Sequence, residues 1–129
     1  MLTTIAKVWG WIFLIVGILG FVPAVAPNGH LLGIFDVNGP HNFVHLATGI
    51  VALICGYQNA HVAKLYFLIF GIVYGLVALL GFVAGNSPVL GIIANNIADA
   101  WLHVGIAVVS IALGLMPETT RATTRMSVP

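Results

Sequence analysis

Two stretches hold nearly all the side chains of this sequence that could do chemistry. "FDVNGPHNFVHLATG" (Phe35–Gly49) and "IANNIADAWLHVGIA" (Ile93–Ala107) each set an Asn, a titratable residue three positions on and a His seven positions on. The first trio is Asn38, His41 and His45; the second is Asn96, Asp99 and His103. Steps of three and seven keep each trio on one helical face. An Asn heading a helix accepts a hydrogen bond from a free first-turn amide, so Asn38 and Asn96 are expected helix caps. Asp99 then completes something close to a capping box and sits where the helix dipole favours an anion. Pro40 falls in the first turn, where a missing N–H costs little.

Capping does not account for His45 and His103, each one turn deeper in an apolar run. An ionisable residue in such a run points to function by default. Three chemistries fit. The one that asks least is a closed hydrogen-bond network of His41, His45, Asp99 and His103, since polar side chains join apolar helices at ~0.6–2 kcal/mol each. The same four residues, as His-x3-His and Asp-x3-His, form a ligand set suited to zinc or another divalent transition metal. His45 and His103 could also be opposed axial ligands of a haem. Proton transfer or a substrate pocket is the remaining option.

The elements that must position these residues follow from composition. The chain has 129 residues, 60% hydrophobic and only 5% charged, with a mean hydropathy of +1.12. A soluble domain carries roughly 25% charged residues. Apolar runs at about Thr4–Val22, Asn42–Tyr57, Ala63–Val83 and Ile97–Leu115 approach the ~20 residues that cross a bilayer. Backbone in lipid must satisfy its own hydrogen bonds, so each run should be helical. The first run is longer than a signal-peptide core and "AVA" is followed by Pro27, so a retained anchor is expected.

The expected fold is all-α: an integral membrane four-helix bundle forming one domain over residues 1–129. Lys7 is placed before the first helix, Lys64 in the loop between the second and third, and Arg121 and Arg125 in a short tail, 117–129. The loops 23–40 and 84–96 hold no Lys or Arg. The positive-inside rule then predicts a multi-pass cell-membrane protein with both termini cytoplasmic.

An offset of 58 residues aligns Gly33, Ile34, Asn38, His45 and Gly56 with Gly91, Ile92, Asn96, His103 and Gly114. The bundle is therefore expected to be two hairpins, about 4–60 and 61–116, entering the membrane the same way and related by a pseudo-two-fold along its normal. That axis would bring the two polar stretches face to face on the outer side if the second and fourth helices lie near it. Gly71/Gly75, Gly81/Gly85, Ala52/Gly56 and Ser110/Gly114 have the small-xxx-small spacing of close helix packing.

The remaining candidates read as ordinary surface or packing. His30 and Asp36 are expected as solvated loop residues beside the turn "APNGH", and His61 as a hydrated residue beside Lys64. Trp9, Trp11, Tyr57 and Tyr66 suit an interfacial belt; Phe67, Phe70 and Tyr74 form a packing stripe. Cys55, the single cysteine, reads as an inert core residue. No phosphate-binding loop, HExxH, CxxC or nucleophile elbow is present, so no catalytic residue is assigned. Four basic residues make no nucleic-acid surface, and acid-free spans 1 to 3 argue against strong ion coupling.

The stretch Asn38, His41, Asn42, His45, Gly49, with Ala98-Asp99 and Leu102-His103 later, resembles the bacterial membrane proteins grouped as domain of unknown function family 4383. Ala100 stands where that family's pattern has Asn. The resemblance covers nearly the whole chain and implies a four-span unit and importance for these positions; it implies no activity. The expected role is a structural or assembly one, in a homo-oligomer or with other membrane proteins in the lipid bilayer, with no cofactor and no enzyme activity. A metal- or haem-binding module using the His/Asp cluster is the alternative.

Overall fold

The computed structural model describes residues 1–117; the expected tail, with Arg121 and Arg125, lies outside the described residues apart from Pro117. Among the described residues there are four α-helices: α1 (Leu2–Leu19), α2 (Gly39–Gln58), α3 (Ala60–Ala84) and α4 (Ile97–Gly114). Between α1 and α2 the chain makes a short 3-10 turn (Pro27–Gly29) and two antiparallel two-residue strands, β1 (His30–Leu31) and β2 (Phe35–Asp36).

Helices α1, α3 and α4 are long and apolar enough to cross a membrane. Helix α2 is long enough at 20 residues, but its first turns carry Pro40, His41, Asn42 and His45. Both lysines differ from their expected places. Asn59 alone joins α2 to α3: its side chain accepts from the Val62 amide and starts α3 at once. Lys64 and His61 therefore lie on α3, not in a loop. Lys7 likewise lies within α1, its ammonium 4.6 Å from the centre of the Tyr57 ring.

The helices pack mainly as two pairs, α1 with α2 and α3 with α4. Glycine lets the backbones touch. A Cβ on Gly10 would lie 2.8 Å from the Gly49 carbonyl oxygen, and one on Gly49 would lie 2.7 Å from that of Gly10. A Cβ on Gly71 would come within 2.9 Å of the Ile111 amide. The Gly81/Gly85 pair divides its duties: Gly81 packs against Asn95 and Ala100, while Gly85, at φ 64°, ends α3 in a conformation only glycine adopts cheaply.

Across the pairs, α3 meets both α2 and α1, so the joint runs through α3 instead of a central α2–α4 contact. Phe13, Phe67, Phe70 and Tyr74 fill it. Trp9 packs edge-on to Phe67 and Phe70, and Tyr66 stacks on Phe70 at 5.1 Å. Tyr66 thus belongs to the core and Trp9 packs half-buried against it, while Trp11 and Tyr57 stay exposed.

The two loops share one end of the bundle and one conformation. Leu32 and Gly33 have positive φ, as do Leu90 and Gly91, 58 residues later. Leu31 pairs with Phe35 and Val89 with Ile93 at the same offset.

Candidate functional site

The polar residues gather where these loops meet the first turns of α2 and α4. The Asn38 side chain accepts from the His41 amide, and the Asn96 side chain from the Asp99 amide. Each carboxamide also crosses to the opposite loop. Asn38 donates to the Ile92 carbonyl and Asn96 to the Ile34 carbonyl, both at 2.8 Å. Ile34 and Ile92 are themselves 58 residues apart, so the two bonds are reciprocal.

Asp99 extends the latch. Its Oδ2 accepts from the Asn96 amide, completing the capping box, and from the Asp36 amide at 3.0 Å. Asp36 is more than a solvated loop residue: its Oδ1 accepts from Asn96 Nδ2 at 3.0 Å and pairs with His30 Nδ1 at 2.8 Å. Its alternation within a two-residue strand gave no sign of this, because the partners come from the other half of the chain.

Three histidines lie just beneath. His41 Nδ1 donates to the Ala94 carbonyl at 2.9 Å, and His41 Nε2 meets His45 Nε2 at 3.2 Å. His103 lies across from them, its ring 6.0 Å from that of His41. One ligand atom from each of His41, His45 and His103 falls within 4.8 Å of the others. Asp99 is outside this group, which corrects the expected four-ligand set. Its carboxylate is held one turn above by two backbone amides, bonds that a capping position makes at the expense of reaching inward. His41 stacks on His45 at 5.0 Å, so the two residues proposed as axial haem ligands share their site with a third histidine.

The cluster is dry. His41, His45, Asp99 and His103 are all buried, with Phe13 stacked on His45 and Tyr74 edge-on to His103. The Nδ1 atoms of His45 and His103 are buried without a hydrogen-bond partner, as is the Tyr66 hydroxyl further along α3. Buried polar groups are normally paired, so these atoms mark the part of the cluster that the latch does not explain.

Two further amides are buried: Asn42, which the family pattern includes, and Asn95, not singled out in the sequence. Asn95 donates to the carbonyls of Gly81 and Gly85, tying the end of α3 to the start of α4. Asn42 abuts Gly20, where an added Cβ would collide with its carboxamide. Ala100, 58 residues after Asn42, faces Gly81 in the second pair, and Asn95 supplies the amide there. An Asn beside the capping Asn96 was the available signal.

Over residues 3–116 the chain matches the family described as "Domain of unknown function (DUF4383)", and it belongs to that family. No curated protein and no solved structure matches the chain.

Proposed function

We propose that this member of family 4383 is an integral membrane protein of four spans, built from two like-oriented hairpins. Its role is structural or in assembly, as an oligomer or as a subunit of a larger membrane complex. The reciprocal Asn38–Ile92 and Asn96–Ile34 bonds carry this reading: the conspicuous polar residues are spent mainly on locking one hairpin to the other.

Several features support the membrane setting. Ile12 and Ile15 on α1, Ile72 and Leu76 on α3, and Val108 on α4 are exposed, as suits surfaces solvated by lipid. Helix α2 is the least apolar of the four, yet His41, Asn42 and His45 are buried while Phe43, Ile50, Val51 and Ile54 are exposed. Its outward face is thus apolar enough to span. Lys7 and Lys64 belong to the helix ends opposite the two Lys- and Arg-free loops, which favours cytoplasmic termini.

A metal site is the second reading, favoured by the 3.2 Å between the Nε2 atoms of His41 and His45. Two nitrogens bound at ~2.0–2.1 Å to a tetrahedral zinc stand about that far apart, and the Ala94 carbonyl, accepting from Nδ1, would hold the His41 ring with Nε2 turned toward the metal.

One preparation tests both. Native mass measurement in a gentle detergent should find an oligomer or a co-purifying membrane protein. A 13.6 kDa monomer at every concentration overturns the assembly role. Elemental analysis that finds stoichiometric zinc, lost in His41→Ala, would put the metal reading first.

A further inference from the structure

Both loops close on the same two-residue turn, and both put leucine where that turn favours asparagine. The Ile34 amide donates to the Leu31 carbonyl across Leu32 and Gly33, and the Ile92 amide to the Val89 carbonyl across Leu90 and Gly91, each at 3.1 Å. The central residues all have positive φ, 54° and 71° in the first turn and 53° and 72° in the second. Such turns prefer Asn-Gly or Asp-Gly, because Asn tolerates the left-handed region and leucine is strained there. Here leucine takes the strained position twice and is left open: Leu32 is 67% exposed and Leu90 77%. Ile34 and Ile92, two residues on, are exposed as well. In water these choices would cost backbone strain and hydrocarbon exposure together.

The helices set the depth of these turns. Lys7 holds its ammonium over the ring of Tyr57, one residue before the end of α2. A lysine near a helix end keeps its ammonium out of the hydrocarbon, so the core begins no further inward than that ring. From Tyr57 to Gly39, α2 rises roughly 27 Å at ~1.5 Å per residue, and less if tilted. A hydrocarbon core of ~30 Å therefore ends beyond Gly39, among the loops. Asn38 bonds the Ile92 carbonyl and Asn96 the Ile34 carbonyl, which pins both isoleucines at the level of the helix starts. Helix α3 reaches further, roughly 30 Å from Lys64 to Ala84, and carries Ser87 to the headgroups.

We infer that the Leu32–Ile34 and Leu90–Ile92 turns insert into the outer leaflet of the protein's own bilayer, where their partner is the upper part of the acyl chains. The inference rests on the four-span reading. Contact with acyl chains removes the leucine and isoleucine side chains from water and offsets the strain at Leu32 and Leu90. The recognition is of hydrocarbon and not of a charged headgroup. Neither loop holds Lys or Arg, and His30 and Asp36 beside the first turn pair with each other at 2.8 Å. Insertion also sets the Asn38 and Asn96 bonds at the edge of the core, where little water competes for them.

The test uses the full chain in nanodiscs of palmitoyl-oleoyl phosphatidylcholine, with Cys55→Ser and single spin-labelled cysteines. Collision with molecular oxygen, which concentrates in hydrocarbon, is compared with collision with a water-soluble nickel chelate. At Leu32→Cys and Leu90→Cys, oxygen collisions should exceed nickel collisions severalfold; at Ser87→Cys the order should reverse. Ile50→Cys, exposed midway along α2, reports on the four-span reading and should also favour oxygen. Nickel contact at Ile50 overturns that reading and this inference with it. Oxygen contact at Ile50, with Leu32 and Leu90 as wet as Ser87, overturns the inference alone. Low rates with both reagents at Leu32 and Leu90 overturn it too, in favour of a protein partner over the turns. A second measurement needs no label. Leu90→Asn relieves the backbone, so a turn in water would gain thermal stability from it. In nanodiscs it should lower the unfolding midpoint, and a raised midpoint overturns the inference.

Discussion

Each carboxamide of Asn38 and Asn96 works in two directions, capping its own helix through oxygen and reaching the opposite loop through nitrogen. Loss of a cap alone costs ~0.5–2 kcal/mol, and each further hydrogen bond adds about 0.5–1.5 kcal/mol. Asn96 has the additional bond to Asp36 and stands inside the capping box. Asn96→Ala should therefore destabilise more than Asn38→Ala, by about 1 kcal/mol, in thermal unfolding monitored by circular dichroism in detergent. Equal losses would mean that the bond to Asp36 adds nothing. The capping half of each Asn could be read from spacing, because a cap is a local event three residues long. The crossing half could not: Ile34 and Ile92 offer backbone carbonyls, which leave no mark on residue type. Asp99 is the sharper case. Its spacing suits a ligand and a cap equally, and only the position of the Asp36 amide decides between them.

At the scale of elements, the close approach within each pair rests on glycine more than on large apolar side chains. Gly10 and Gly49 face each other so tightly that either Cβ would meet the other's carbonyl oxygen inside 3 Å. Relief requires the helices to separate along their length. Gly49→Val should cost ~1–3 kcal/mol by overpacking, read as a lowered midpoint in the same thermal assay. Gly105, on the exposed face of α4 with nothing within 4 Å of its Cβ position, supplies the control. Gly105→Ala should be neutral or stabilising by up to ~1 kcal/mol through helix propensity. A comparable loss at both sites would show that the loss at Gly49 does not come from the close approach to Gly10. The existence of four helices was legible because long apolar runs allow little else. Which glycines would be contacts was not: Gly85 has the right spacing but ends its helix, and Gly10 faces a partner on another helix.

For the whole molecule, the decisive geometry is that both loops occupy one end of the bundle. Asn38 bonds the second loop and Asn96 the first, so a bilayer crossed by all four helices must leave both loops on the same face. The lysines predict the side. Lys7 lies in the first turns of α1 and Lys64 in the second turn of α3, and no Lys or Arg lies in residues 20–38 or 85–96. On the proposed four-span topology, the positive-inside rule predicts that both loops face outward. In a Cys55→Ser background, Ala24→Cys and Ser87→Cys are exposed loop positions that an impermeant maleimide should label on intact cells. Gln58→Cys, exposed at the α2–α3 junction, should react only after permeabilisation. Helix α2 makes this more than a test of orientation. If its buried His41, Asn42 and His45 kept it from crossing, the first loop and the α2–α3 junction would lie on one side, and Ala24→Cys and Gln58→Cys would label together. Labelling of Ala24→Cys and Ser87→Cys from opposite sides would also break the latch, because no bond could join Asn38 to Ile92 across a bilayer.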